Sequence, residues 1–220
     1  MTILAVTGLA KEAKIVGTAG VVAVAGGGDA NDLMAKLNAL HGDIRGVISI
    51  GLAGALSPQL EVGHVVIADQ VMTGAEKWDC HESWRVRLVS RLPYAYRGAL
   101  FGSDVIIEHP ETKSGLHETT GALAVDMESQ VAARFAASRN LPLAALRVIS
   151  DDAGHVLPPA ALVAMKPDGG IALGRVLWSL IKKPAQIPAL VHTARASNKA
   201  FEELLRCRDL CGVGFSGADF

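Results

Sequence analysis

Residues 122–151 read Ala-Leu-Ala-Val-Asp-Met-Glu-Ser-Gln-Val-Ala-Ala-Arg-Phe-Ala-Ala-Ser-Arg-Asn-Leu-Pro-Leu-Ala-Ala-Leu-Arg-Val-Ile-Ser-Asp. The stretch opens on a short apolar run, Ala122–Met127, which predicts a strand. That run passes directly into a helical segment, Glu128–Ser138, and a second apolar run, Leu143–Ile149, ends at Ser150-Asp151. Strand, helix and strand thus follow one another with polar and acidic residues at the junctions. A repeated alternation of this kind implies a sheet covered by helices on both faces.

Working outward, the same alternation runs through the first two thirds of the chain. Ile3–Val6 reads as a buried strand ending at Thr7-Gly8, and Ala10–Val16 as the helix after it. Val21–Ala25 is a further strand, stopped by Gly26-Gly27-Gly28. Asp29 is placed to cap a helix that reaches about Leu40. Gly46–Ile50 predicts a strand followed by a tight turn at Gly51-Leu-Ala-Gly54, and Val65–Ala68 another strand. Residues 74–98 read as a loop with a short helix, and Leu100–Ile107 as a strand. Lys166-Pro-Asp-Gly-Gly170 is a turn. The expected fold is a three-layer α/β/α sandwich with a central mixed sheet. Residues 1–170 form a catalytic domain, and residues 171–220 a C-terminal helical extension packed on it.

Bulk properties exclude several functions. The 220 residues carry a net charge of −1 and only 5% aromatics, which argues against nucleic-acid binding by charge or by base stacking. Three cysteines, Cys80, Cys207 and Cys211, fit reduced thiols better than a disulfide framework. No histidine or cysteine set has metal spacing, so no metal is expected. The Gly26–Asp29 stretch lacks the spacing of a phosphate loop and reads as a turn. His64 is given a structural role, and His155 is a residue for the mouth of the site. The N-terminus has no signal-peptide pattern, and no apolar run is long enough to span a bilayer; a cytoplasmic protein is expected.

The tail differs from the rest. Residues 171–208 are helical in pattern, broken by Pro184 and Pro188, and hold seven basic residues against two acidic ones. Leu173, Val176, Leu177, Leu180 and Ile181 recur at helical spacing beside Trp178. Two readings stay open: a helix packed on the domain or on a partner subunit, and a basic amphipathic surface resting on the inner membrane.

Carboxylates stand at the strand ends, where ligands bind in open α/β sheets. Asp151, Glu128 and Glu12 could serve in turn as an acid, a grip on sugar hydroxyls and a holder of the nucleophile. That set suits cleavage of an N-glycosidic bond, in which the leaving base is protonated and the ribosyl ring gains oxocarbenium character.

Four segments carry a family resemblance: Val6–Glu12; Val47–Leu56 with Val62–Ile67; Ala124–Ser129; and Arg147–Asp151. Together they resemble the superfamily of purine nucleoside phosphorylases and methylthioadenosine/S-adenosylhomocysteine nucleosidases. The resemblance implies an enzyme that releases a purine, with Asp151 as the acid and Ser150 supporting it. Met127 and Glu128 would bind ribose, and Glu12 would hold an attacking water. Gly8, Ala53, Gly54, Ile106 and Ile107 would line the substrate, with Ile106 where the nucleosidases carry an aromatic. Lys11 and Ser49 are the residues that could cradle a phosphate co-substrate; Leu52 replaces a phosphate-binding serine, and no cofactor is implied. The longer match runs through Gly8–Ala13, Gly102–Asp104, Ala122–Ser129, Leu157–Ala161, Lys166–Gly169 and Lys183–Leu190. It resembles the hopanoid-associated phosphorylases and implies adenosylhopane, a lipid-linked nucleoside, as substrate. The alternatives are a methylthioadenosine or adenosylhomocysteine nucleosidase, and a non-catalytic nucleoside- or lipid-binding protein. A homodimer is expected by the same resemblance.

Overall fold

The computed structural model of the protein describes residues 2–162, 169, 170 and 172–217. The chain runs through β1 (Thr2–Thr7), α1 (Ala10–Val16), β2 (Val21–Ala25), α2 (Ala30–Asn38), β3 (Ile44–Ala55) and β4 (Val65–Met72). It continues through β5 (Lys77–Asp79), α3 (Glu82–Arg91), β6 (Tyr96–Gly102), α4 (Pro110–Thr120), β7 (Ala124–Asp126) and α5 (Ser129–Ser138). It then forms β8 (Leu143–Asp151), α6 (Pro159–Leu162), α7 (Leu173–Lys182) and α8 (Ile187–Cys211).

The eight strands form one mixed sheet. β1 lies parallel between β2 and β3, and β3 continues parallel to β8. β8 pairs antiparallel with β4, β4 runs parallel to β6, and β6 runs parallel to β7. β7 returns antiparallel to the end of β3 at Gly54 and Ala55. Strands β3, β8, β4, β6 and β7 therefore close into a ring, with β1 and β2 extending it on one side and β5 on the other. Helices cover both faces, as expected for such a sheet. Leu4 and Val6 face α2 and α5, packing with Leu33, Leu37, Val131 and Phe135. Their neighbours Ile3 and Ala5 face α1, α3 and α8, packing with Val16, Trp84, Leu88 and Leu204. The period of two along β1 is what divides the core into two layers.

Several elements depart from expectation. The glycine stretch 51–54 is not a turn; β3 runs straight through it. β6 stops at Gly102, so Ile106 and Ile107 lie in the connection that follows rather than in a strand. α4 had no forecast, because Pro110–Thr120 is polar and lacks an apolar stripe. The segment 74–98, read as a loop with a short helix, holds β5, α3 and the start of β6. His64 precedes β4 instead of lying in it, and its Nδ1 accepts the Glu61 N–H. Asp29 caps α2 as expected, accepting the N–H groups of Asn31 and Asp32. The turn expected at 166–170 falls largely outside the described residues.

The tail divides in two. α8 begins with Pro188 in its first turn, where the missing N–H costs nothing, so that proline does not break it. Its later turns bury Ala200, Leu204, Cys207 and Cys211 against the sheet, and the three cysteines are free thiols. α7 instead leaves Leu177 59%, Trp178 60% and Ile181 70% exposed, with Lys182 lying over the Trp178 ring. Among the described residues no helix is long and apolar enough to cross a membrane.

Trp84 joins the C-terminal segment to the sheet. It is fully buried and donates its indole N–H to the Phe215 carbonyl at 2.7 Å. A β-carbon on Gly46 or Gly217 would lie within 2.8 Å of its ring, so both glycines make room for it. Trp84→Ala should cost about 3–5 kcal/mol of stability, checked by urea denaturation.

Candidate active site

The site is built along the carboxyl-terminal half of β3. Gly51 and Gly54 are glycines because carboxylates press against them. A β-carbon on Gly51 would stand 2.8 Å from the Glu12 carboxyl carbon, and one on Gly54 2.9 Å from Asp151 Oδ2. Neither has a positive φ, so close approach, not a turn, is their physical reason. The two glycines are three residues apart, roughly 10 Å along a strand.

Glu12 stands in the first turn of α1. Its Oε2 accepts the N–H groups of Gly8 (2.7 Å) and Leu9 (2.8 Å), and its Oε1 accepts that of Leu52 (2.9 Å). The side chain thus ties the β1–α1 turn to β3. Burial raises its pKa above the usual carboxylate value, against the pull of those N–H groups and of Arg147. Glu128 lies between β7 and α5, and its carboxyl oxygens come within 3.1 Å of where a Gly8 β-carbon would be. Its chain also passes Gly26, where a β-carbon would sit 3.1 Å from its Cγ. Burial, and then the negative charges of Asp126 and Glu12, push Glu128 up to about 8, with Arg147 opposing. Met127, beside it, is half-buried.

One cation serves this acidic cluster. Arg147, on β8 and fully buried, donates through Nη2 to Ser49 Oγ (2.6 Å) and Asp126 Oδ1 (3.1 Å). The same Asp126 oxygen accepts the N–H groups of Glu128 (2.8 Å) and Ser129 (2.6 Å), capping the start of α5. Burial alone would raise Asp126, but the Arg147 guanidinium and these N–H groups hold its carboxyl below the usual range. Arg147 Nε has no hydrogen-bond partner among the described residues.

At the other end, β8 carries a bulge. Ala53 pairs with Ile149 and Gly54 with Asp151, so Ser150 is the extra residue. Bulges re-aim side chains, and this one sets Asp151 against Gly54. The Ser150 hydroxyl lies 3.2 Å from the Ala53 carbonyl and 3.1 Å from Asp151 Oδ1. Lys113 of α4, fully buried, donates to Asp151 Oδ2 at 2.6 Å.

The structure therefore brings Glu12, Glu128, Gly8, Ala53, Gly54, Ser150 and Asp151 onto the β3 end. It does not bring Lys11 there: its ammonium turns to α8, 3.5 Å from Asn198 Oδ1 and over the Phe201 ring. Ser49 is buried and engaged by Arg147, so it and Lys11 form no joint anion cradle. Ile107 packs with Leu56, Met72 and Val125 in a small apolar cluster, and Ile106 is partly exposed. His155 contacts Thr193 on α8 through its ring. Among the described residues no cluster of His, Cys, Asp or Glu is arranged to hold a metal ion. Three residues had been given no role from sequence: Arg147, Asp126 and Lys113. The first left a signal, a lone cation inside the apolar run Leu143–Ile149 that must find buried partners. Lys113 left none.

Comparison with known proteins gives consistent similarities. The family model described as the phosphorylase superfamily matches residues 5–100 and 79–182. A 5'-methylthioadenosine/S-adenosylhomocysteine nucleosidase of Mycobacterium bovis is 26% identical over 178 residues, covering 61% of this chain and 70% of that protein. Among solved structures, a Streptococcus pneumoniae nucleosidase of the same kind, in complex with 8-aminoadenine, is similar with a TM-score of 0.62. It is 18% identical and covers 94% of this chain and 100% of its own. A futalosine hydrolase mutant of Helicobacter pylori is similar with a TM-score of 0.57 at 14% identity, covering 68% of this chain and 90% of that one. At these identities the structural similarities speak for the fold.

Glu128 makes stability depend on pH with a definite sign. Below about 4.5 it is protonated both folded and unfolded; between there and about 8 only the folded chain keeps the proton. Stability therefore falls as pH rises through that window and levels off above it. In Glu128→Gln this component should vanish. The difference in unfolding free energy between the two proteins, measured in urea from pH 5 to 9, should shift steadily against the parent protein up to about pH 8.

Proposed function

Because the chain belongs to the phosphorylase superfamily, we propose that it cleaves the N-glycosidic bond of an adenine nucleoside. The observation that carries this reading is the placement of carboxylates along β3. Glu12 lies against Gly51 and Asp151 against Gly54, and Glu128 meets Gly8, whose N–H binds Glu12. A nucleoside laid along this span would set its base at Asp151, its ribose at Glu128 and its nucleophile at Glu12. As the bond breaks, the ribosyl ring becomes cationic, and nearby carboxylates stabilise it. Asp151 faces the leaving base, where a protonating group removes the penalty of expelling an anion.

We read water, not phosphate, as the nucleophile. Among the described residues Arg147 is the cation beside Glu12, and it is already engaged by Asp126 and Ser49. Neither Lys11 nor Ser49 is free to help, since each is engaged elsewhere. Arg147 Nε, which lacks a protein acceptor, supplies a donor for a water in this cluster.

For the group on the 5′ carbon, the similarity to methylthioadenosine/S-adenosylhomocysteine nucleosidases favours a small thioether substrate over adenosylhopane. One observation keeps the lipid-linked reading in view. The exposed Leu177, Trp178 and Ile181 of α7, flanked by Lys182 and Lys183, form a basic amphipathic surface suited to an anionic bilayer. On that reading the chain works at the membrane surface.

One assay separates the substrates. Purified protein is given methylthioadenosine, adenosylhomocysteine, adenosine and adenosylhopane, with and without phosphate, while free adenine is followed. Adenine release from the thioethers without phosphate is the expected result. A strict phosphate requirement would exclude water as the nucleophile, and no release from any nucleoside would leave a binding protein. Adenosylhopane cleavage, with Trp178→Glu abolishing binding to anionic vesicles, would establish the lipid reading. Asp151→Asn should lower kcat by about 10²–10⁴-fold with the fold intact by circular dichroism. Near-normal turnover would remove Asp151 from the acid role.

A further inference from the structure

Lys113 is, among the described residues, the lysine whose side chain is fully buried. It stands on α4, outside every strand-end motif, yet its ammonium is aimed at Asp151. It donates to Asp151 Oδ2 at 2.6 Å, to the Asp152 carbonyl at 3.0 Å and to the His155 carbonyl at 3.3 Å. With the Ser150 hydroxyl 3.1 Å from Oδ1, both Asp151 oxygens are engaged from the protein side. Taking an ammonium out of water costs several kcal/mol. A neutral donor could hold two carbonyls without that cost, so the charge at Asp151 asks for a reason in chemistry.

We propose that Lys113 is a positioning residue acting through Asp151: it fixes the carboxyl against the leaving base and supplies the proton that the acid passes on. This deepens the reading of the site given above and rests on it. As the glycosidic bond breaks, its electron pair moves onto the purine. Asp151 starts as the carboxylate partner of the Lys113 ammonium; an N–H bond of Lys113 breaks as its proton moves to Asp151 Oδ2, and the carboxyl passes a proton on to a ring nitrogen. The base leaves neutral and Asp151 ends ionised. The amine of Lys113 regains a proton from solvent, which balances the one released by the attacking water. The ring nitrogens gain basicity as the electron pair moves onto the purine, so the proton is drawn through the carboxyl as the bond opens.

The test uses two variants and two substrates. Lys113→Met removes the charge; Lys113→Arg keeps the charge and a hydrogen bond but holds its proton. Each is compared with the parent protein on the adenine nucleoside that it cleaves and on the 4-nitrophenyl glycoside of the same ribose, whose leaving group needs no proton. Both variants should lose about 100-fold or more in kcat on the nucleoside. KM should change only a few-fold, and turnover of the nitrophenyl substrate should fall far less. In an Asp151→Asn background, Lys113→Met should add little further loss. Equal losses on both substrates would reduce Lys113 to a packing role and overturn the proposal, as would parent-like nucleoside turnover by Lys113→Arg. If Lys113→Met does not fold, the Arg variant decides alone. Parent protein that releases no adenine from any nucleoside would overturn the reading of the site itself, a different failure from either of these.

Discussion

A single guanidinium, buried between the middle of β3 and the end of β7, holds this site together. Arg147 bonds Ser49 on β3 and Asp126 at the end of β7, and its charge acts on Glu12 and Glu128. Without it, the Asp126 carboxylate would be buried beside two further acidic side chains with no counter-charge among the described residues, a costly arrangement in a protein interior. Asp126 completes the arrangement. It takes the charge of Arg147 on one side and, on the other, caps the helix that begins just after Glu128. Position and electrostatics are thus set by one small network: the residues that build the helix terminus also determine how Glu128 ionises.

The two ends of this row of carboxylates are handled differently. At the Glu12 end, backbone N–H groups do most of the holding, and the glycines at positions 8, 26 and 51 let the carboxylates reach the backbone. At the Asp151 end, a bulge re-aims the strand and a lysine from an unrelated helix meets the acid. The first arrangement joins the β1–α1 turn to β3 through backbone groups, reaching Leu52 across 40 residues of sequence. The second joins two side chains, linking α4 to the end of β8 across 38 residues. The setting of Asp151 is therefore sensitive to where α4 sits, whereas that of Glu12 is not.

This contrast also explains what could be read in advance. The apolar run Leu143–Ile149 is buried on both faces and bounded by polar residues, and Val21–Ala25 is stopped by glycines, so their ends fall close to where they were expected. The glycines at 51 and 54 were misread as a turn, because a glycine that admits a neighbouring carboxylate looks the same in sequence as one that bends the chain. α4 escaped notice because what it buries is an ammonium and not an apolar stripe. The carboxylates were legible through their strand-end positions. Their partners, Arg147 apart, were not, since pairing across the fold leaves no trace in spacing. The tail was legible in composition, but only coordinates separate α8, which packs on the sheet, from α7, which keeps Leu177, Trp178 and Ile181 in solvent.

The ring formed by β3, β8, β4, β6 and β7 limits how such a site can adapt. Every strand in it is hydrogen-bonded on both sides to another member, so none can peel outward without breaking two ladders at once. The ring acts as a closed hoop, and change is left to the segments hung on its rim. On the proposed function, selectivity for the substituent on the sugar would diverge through those rim segments while the carboxylates on the ring keep their spacing. A scaffold of this kind separates the evolution of what is admitted from the chemistry done to it.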